Sequence, residues 1–322
     1  ILSNADVDKL LTMPECLDAL EEAYRELAEG RGVSRQRSDS IVRTNRDDAL
    51  YSLKSMDGVI GKLGVGAVRI NSDIVTWPKF GNNMRRVKVP AAPNKRYTGL
   101  VLLFSSETGE PLAIMPDGVM QRIRVGAANG LGVKYMARKD ASRLGCFGTG
   151  HQAETQILAV SRARKLESVL VYGRDAEKRK AFAERMSKVL GQEVRPAESL
   201  AECVKNRDIL ITITNASHPV FDGKLVEPGT HINAAGGNTR VHREIDEFAV
   251  TRAGVIATDD VEGAKLENGV VRLPAGFAEA YAEYVAQGWN AIAAPEEFGG
   301  QGLPFTLAYN VLENLGAANL AF

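Results

Sequence analysis

Residues 144–153 read Leu144-Gly-Cys-Phe-Gly-Thr-Gly-His-Gln-Ala153, an apolar run ending in Gly148-x-Gly150-x-x-Ala153 where a helical pattern begins. That spacing is a dinucleotide-binding turn with Ala in the third small position. Gly148 permits the tight turn. Gly150 lets the backbone approach a pyrophosphate, and Ala153 lets the helix pack close to its strand. The helix N-terminus offers free N–H groups to the phosphates. Gly148, Thr149, Gly150, His151, Gln152 and Ala153 are therefore cofactor-binding candidates, and the pattern predicts a nicotinamide dinucleotide.

A glycine pattern alone is weak in a chain with 31 glycines among 322 residues, because an ordinary strand–helix turn looks the same. The surroundings strengthen it. Thr155-Gln-Ile-Leu-Ala-Val-Ser-Arg-Ala-Arg164 carries apolar residues at helical spacing, and Ser168-Val-Leu-Val-Tyr172 is a compact strand. That strand ends about 20 residues past the glycines, where a ribose-reading residue belongs. Here the residues are Tyr172-Gly-Arg-Asp175. Arg174 suits a bidentate bond to a 2′-phosphate and favours NADP. Asp175 suits the ribose hydroxyls of NAD, or the cap of the next helix.

The length fits about two domains. Apolar content of 44% and charged content of 25% describe an ordinary globular protein, and 40 basic against 40 acidic residues give no net charge. Neither nucleic acid nor a membrane is an expected partner. No apolar run reaches the ~20 residues of a membrane span. The start, Ile1-Leu-Ser-Asn-Ala-Asp6, is not a signal peptide, and its lack of Met suggests a trimmed start. Cys16, Cys146 and Cys203 read as buried small hydrophobes. The four histidines show no ligand spacing. No metal and a cytoplasmic location are expected.

Residues 5–29 read as two helices broken at Met13-Pro14, and 31–48 as a polar, basic stretch. Strands are predicted at 49–53, 64–70, 99–104 and 111–115, the last two joined by a turn at 105–110. A long amphipathic helix rich in Ala and Gly spans 119–138. Beyond the glycine turn, helices near 175–190 and 199–206 alternate with strands at 208–213, 231–235 and 255–258. The fold expected is α/β: a Rossmann-type doubly wound parallel sheet plus a mixed α+β substrate and dimerisation domain.

Four words of sequence point to a family: Glu107-Thr-Gly-Glu-Pro-Leu-Ala-Ile-Met-Pro-Asp-Gly118, Arg122-Ile-Arg-Val-Gly-Ala-Ala128, Gly148-Thr-Gly-His-Gln-Ala153 and Pro228-Gly-Thr-His-Ile-Asn-Ala-Ala-Gly-Gly237. Through them, residues 1 to about 267 resemble the ornithine cyclodeaminase/mu-crystallin family. The resemblance implies NAD or NADP as cofactor and a division into 1–120 for substrate binding and dimerisation, 121–267 for NAD(P) binding, and 268–322 as a helical tail. It implies a homodimer, and a substrate carboxylate held by Arg124. Arg69 and, further out, Arg37 are additional substrate contacts by the same resemblance. A planar guanidinium suits a carboxylate. Thr214, just past the strand at 208–213, is a further cofactor candidate.

One position departs from the family. Cyclodeaminases place an acid/base Asp just after the paired glycines, and this chain has Asn238. An amide orients an amine or imine but does not exchange protons as a carboxylate does. Hydride transfer survives that change, so imine reduction or amino-acid dehydrogenation is favoured. Ammonia-releasing cyclodeamination and a catalytically weak NADP-binding protein of the mu-crystallin kind remain alternatives. Residues 268–322 resemble the N-terminal helical part of an acyl-CoA dehydrogenase, through words such as Glu297-Phe-Gly-Gly-Gln-Gly-Leu-Pro304. No flavin or thioester chemistry is expected of that tail.

Overall fold

The computed structural model of the chain describes residues 1–35, 37–80, 83–84, 87–94, 96–237, 243–258, 265–267, 270–272, 286 and 296. The chain divides into two compact units, Ile1–Arg252 and Ala253–Phe322.

The first unit opens with helices α1 (Asn4–Leu10) and α2 (Met13–Ala28), each begun by a capping box, Ser3 with Asp6 and Thr12 with Glu15. The break falls at Leu11 and Thr12 rather than at Met13-Pro14. A proline in the first helical turn gives up an N–H that has no intrahelical partner anyway.

An antiparallel sheet follows. Its strands are β1 (Gly32–Ser34), β2 (Ser38–Arg43), β3 (Ala49–Ile60) and β4 (Val65–Thr76). The short pair β5 (Lys79–Phe80) and β6 (Asn83–Met84) forms its own ribbon, and β7 (Val87–Val89), β8 (Thr98–Ser105) and β9 (Pro111–Pro116) complete the set. The order is β1-β3-β4-β8-β9, with β2 also on β3 and β7 also on β4. Strands β1 and β2 correct the reading of 31–48 as a featureless polar stretch. β2 is exposed along its whole length, so main-chain pairing to β3 makes it a strand, not apolar alternation.

Register sorts the two faces of this sheet. Ser52 lies opposite Asp73, Lys54 opposite Asn71 and Met56 opposite Arg69. These residues share one face, all polar but Met56, and Ser52, Lys54, Asn71 and Asp73 are all buried there. The other face carries Val42, Leu53, Leu100 and Ile114, each at least 37% exposed.

Helix α3 (Asp117–Met136) leads into β10 (Arg143–Phe147), α4 (His151–Ala163), β11 (Ser168–Tyr172), α5 (Ala176–Leu190), β12 (Val194–Pro196), α6 (Leu200–Val204), β13 (Ile209–Thr212), β14 (His231–Ala234) and α7 (Glu247–Thr251). The five strands run parallel in the order β12-β11-β10-β13-β14. The chain winds from β10 to one side and then returns to the other, so the order reverses between β10 and β13. In doubly wound sheets ligands bind at such a reversal, beyond the C-terminal strand ends. Leu144, Cys146, Ile157, Val171, Phe182 and Ile211 pack on one face of the sheet, and Phe147, Leu170, Cys203 and Leu210 on the other.

The small residues of α3 have a packing reason. A Cβ at Gly126 would stand 2.5 Å from the Thr155 carbonyl oxygen, and one at Gly130 2.9 Å from the Ala159 methyl. Only small residues let α3 and α4 lie this close.

In the second unit, β15 (Lys265–Glu267) and β16 (Val270–Arg272) form an antiparallel pair. The strand expected at 255–258 is absent. Those residues are irregular, with Val255 at 79% and Ile256 at 49% exposure, and they have no ladder partner among the described residues. Most of 268–322 lies outside the described residues, so the helices expected there do too.

Candidate active site

The glycine turn joins β10 to α4 at the reversal point. Gly148 has φ +130°, and a Cβ there would meet the Ile213 carbonyl oxygen at 2.4 Å. Gly150 is the N-cap of α4 and provides no side-chain cap. A Cβ at Gly150 would meet nothing within 4 Å, so the space over it is open. Ala153 is fully buried in the core under the turn. Thr149 packs against Gly173 at the end of β11, His151 is exposed, and Gln152 donates to the Gln121 side chain at 3.4 Å. A constrained turn, open space and an uncapped helix start fit a dinucleotide pyrophosphate.

At the end of β11, Arg174 is exposed and has no hydrogen-bond or ion-pair partner among the described residues. Asp175 is the N-cap of α5 and accepts from the Lys178 N–H at 3.0 Å. That backbone bond holds its carboxyl below the usual range. Arg179 is buried, donates to the Gly173 carbonyl at 2.7 Å and lies 5.1 Å from the Tyr172 ring centroid. The turn thus carries two guanidinium groups, and its carboxylate is engaged in a cap.

Beyond β13 and β14, one carboxylate organises both loops. Glu244 is 3% exposed. Its Oε1 accepts from the Thr214 N–H and, at 2.6 Å, the Thr214 hydroxyl. Its Oε2 accepts from the Thr212 hydroxyl at 3.1 Å and the N–H groups of Gly236 at 2.6 Å and Gly237 at 3.1 Å. Asp246 caps α7, whereas Glu244 is a clamp. Thr214, expected to meet the cofactor, spends both its N–H and its hydroxyl on that clamp. An open depression beside it is lined by Ala234, Gly237, Arg243 and Glu244, among others. Asn238 lies outside the described residues.

The three arginines expected to meet substrate lie in different surroundings. Arg124 is half-buried on α3, near enough to Cys16 for its charge to act on that thiol, which burial pushes up to about 11. Arg69 is already engaged: its Nε and Nη2 donate to the two carboxylate oxygens of Asp117 at 2.8 and 2.7 Å. Asn71 adds a third bond to Asp117 at 3.0 Å. Arg37 is engaged likewise by Asp39, at 2.6 and 3.1 Å. In both, the fork formed by Nε and Nη2 is filled by a protein carboxylate. Arg69 and Asn71 also brace the first residue of α3, two turns and about 10 Å ahead of Arg124.

Sequence reasoning missed the charges next to this brace. The Lys54 ammonium lies 2.7 Å and the Lys88 ammonium 2.9 Å from Asp73. Burial pushes the Asp73 carboxyl up, but hydrogen bonds from the two lysines outweigh it and hold the group below its ordinary value. A lysine in an alternating strand reads as a solvent position, so no sequence signal marked Lys54. Among the described residues, no group of His, Cys, Asp or Glu could hold a metal ion, and no helix is long and apolar enough to cross a membrane.

Comparison with known proteins places this geometry. The sequence model of the ornithine cyclodeaminase/mu-crystallin family matches residues 1–293, further than the four words alone reach. A Delta(1)-pyrroline-2-carboxylate reductase of Bacillus cereus (strain ATCC 14579) is 34% identical over 274 residues, spanning 85% of this chain and 79% of that protein. Among solved structures, Thermococcus litoralis Delta(1)-pyrroline-2-carboxylate reductase in complex with NADH and L-proline has a TM-score of 0.65 at 32% identity, covering 78% of this chain and 73% of its own. An archaeal alanine dehydrogenase dimer with bound NAD has a TM-score of 0.62 at 28% identity, covering 76% and 69%.

Proposed function

From the premise that the chain belongs to the ornithine cyclodeaminase/mu-crystallin family, we propose that it is an NAD(P)-dependent imine reductase acting at the α-carbon of a 2-imino acid, with cyclic imino acids as the first class to test. The carrying observation is the turn at the strand-order reversal, where Gly148 is barred from bearing a side chain and the space over Gly150 is open. Relatives that reduce Delta(1)-pyrroline-2-carboxylate, and one solved with NADH and L-proline, support this reading.

The residues then take these roles. The backbone of 148–153 and the start of α4 hold the pyrophosphate. Arg124 clamps the substrate carboxylate with a charge-assisted fork, on a helix whose start Arg69 and Asn71 fix through Asp117. Asn238 orients the imine nitrogen. When bound, the reduced nicotinamide supplies a hydride to the imine carbon, and the nitrogen takes a proton. Asn238 cannot relay that proton as a carboxylate does, which favours reduction over ammonia-releasing cyclisation.

Three finer points belong to the same proposal. NADP is the favoured cofactor, because Arg174 has no partner among the described residues, Arg179 adds a second cation, and Asp175 is engaged in a helix cap. The active form is a homodimer built through the first 120 residues, whose open sheet face exposes Val42, Leu53, Leu100 and Ile114; residues 121–267 bind the cofactor. Three free, buried cysteines suit the reducing cytoplasm.

The test is turnover. NADPH and NADH are each mixed with Delta(1)-pyrroline-2-carboxylate, and with 2-oxo acids plus ammonia, and reduced-nicotinamide absorbance is followed. Oxidation with at least one imine, faster with NADPH, is expected. No turnover across the panel overturns the reductase reading, and a clear preference for NADH overturns the cofactor assignment.

A further inference from the structure

We propose that Glu244 is the positioning residue of the nicotinamide half of the cofactor site, an inference that rests on the dinucleotide reading above. The glycine turn and the Tyr172–Asp175 segment occupy the β10 and β11 side of the reversal, which leaves the ends of β13 and β14 for the nicotinamide half. At those ends Glu244 takes five hydrogen bonds, from Thr212 at the end of β13 and Thr214 just beyond it, and from Gly236 and Gly237 past β14. Among the described residues no lysine or arginine forms an ion pair with it. Hydroxyl and backbone N–H dipoles satisfy it, and all five donors belong to the two strand ends whose spacing they set.

The clamp also explains why the Ala-Ala-Gly-Gly word needs its first glycine. A Cβ at Gly236 would stand 2.3 Å from the Thr214 carbonyl oxygen and 2.6 Å from both Glu244 carboxylate oxygens. A buried carboxylate that takes donors from both segments fixes their spacing, because leaving any donor unpaired costs its full desolvation. Glutamine at 244 keeps the shape but turns one acceptor into a donor that faces other donors. Aspartate keeps two acceptors on a shorter arm.

The experiment compares whole cofactors with fragments that lack the nicotinamide base. Affinities for NADH and NADPH, and for ADP-ribose and its 2′-phosphate, are measured by calorimetry on wild type, Glu244→Gln, Glu244→Asp and Gly236→Ala. In Glu244→Gln, whole-cofactor affinity falls by about tenfold, the loss of roughly one charged hydrogen bond, while fragment affinity stays within about twofold. Glu244→Asp recovers part of the loss. If Glu244→Gln does not fold, Gly236→Ala shows the same selective loss. Equal weakening of cofactor and fragment, or no weakening of either, overturns the proposal. Cofactor binding without imine turnover in wild type sinks the reductase reading alone; failure of wild type to bind NADH or NADPH sinks both.

Discussion

The two sheets of the first unit solve opposite problems. The parallel sheet buries Leu144, Cys146, Val171, Ile209 and Ile211 between helices and keeps its polar chemistry at the strand ends. The antiparallel sheet puts Ser52, Lys54, Asn71 and Asp73 inside, on one buried face. Buried ion pairs seldom add stability over an apolar core, so the charged face is not there to strengthen the fold. Its products are a fixed start for α3, through Arg69 and Asp117, and hence a fixed Arg124. The parallel sheet supplies a rigid floor, and under the proposed function the antiparallel sheet aims the substrate clamp.

That contrast is broken most severely at Asp73. Asp73→Leu leaves the buried Lys54 ammonium without its carboxylate and costs about 3–5 kcal/mol of unfolding free energy. Lys54→Met, which keeps the Lys88 pair, costs less. Chemical denaturation of both variants checks the order, and a mild effect of Asp73→Leu would show that the charges are solvated.

A smaller effect sits at the opposite end of the parallel sheet. Asp208 accepts from Arg143 and Arg138 side chains and from the Ser142 and Arg143 N–H groups. Its hydrogen bond with Arg143 leads in holding its carboxyl well below the usual range. A depressed folded pKa means this contribution is complete above the unfolded value, near 4, and lost as pH falls below it. Asp208→Asn removes about 2 kcal/mol at neutral pH and flattens the acid limb of stability. Thermal melts between pH 7 and pH 3 distinguish this from a variant that keeps the wild-type acid dependence.

The smallest stability effect is the sharpest for function. Gly150→Ala costs no more than about 1 kcal/mol, the N-cap preference for Gly over Ala, because the new methyl meets nothing within 4 Å. It fills the space a phosphate needs, and cofactor affinity falls by about tenfold or more. Gly148→Ala, at φ +130° and 2.4 Å from Ile213, loses stability as well. Equal behaviour of the two alanines would dissolve the distinction between a strained turn and an open cradle.

Much of the parallel sheet was legible because its strands are short apolar runs ended by glycine turns, and the helices between them follow the 3.6-residue period. The helix caps at Ser3 and Thr12 lie openly in the sequence as well. The antiparallel sheet was less so. β2 exists through main-chain pairing, Lys54 and Asp73 look like solvent residues, and Arg69 and Arg37 find carboxylates that no spacing rule predicts. Glu244 was hidden because three of its five donors are backbone N–H groups, which have no residue signature.

The central claim is hydride transfer to the α-carbon of an imino acid clamped by Arg124. NADPH or NADH carrying deuterium at the transferable position is incubated with Delta(1)-pyrroline-2-carboxylate, and the product is analysed by mass spectrometry. Proline bearing one deuterium at Cα is expected, with Arg124→Leu losing about a thousandfold in kcat/KM at unchanged cofactor affinity. Unlabelled product, or full activity in Arg124→Leu, would contradict the account.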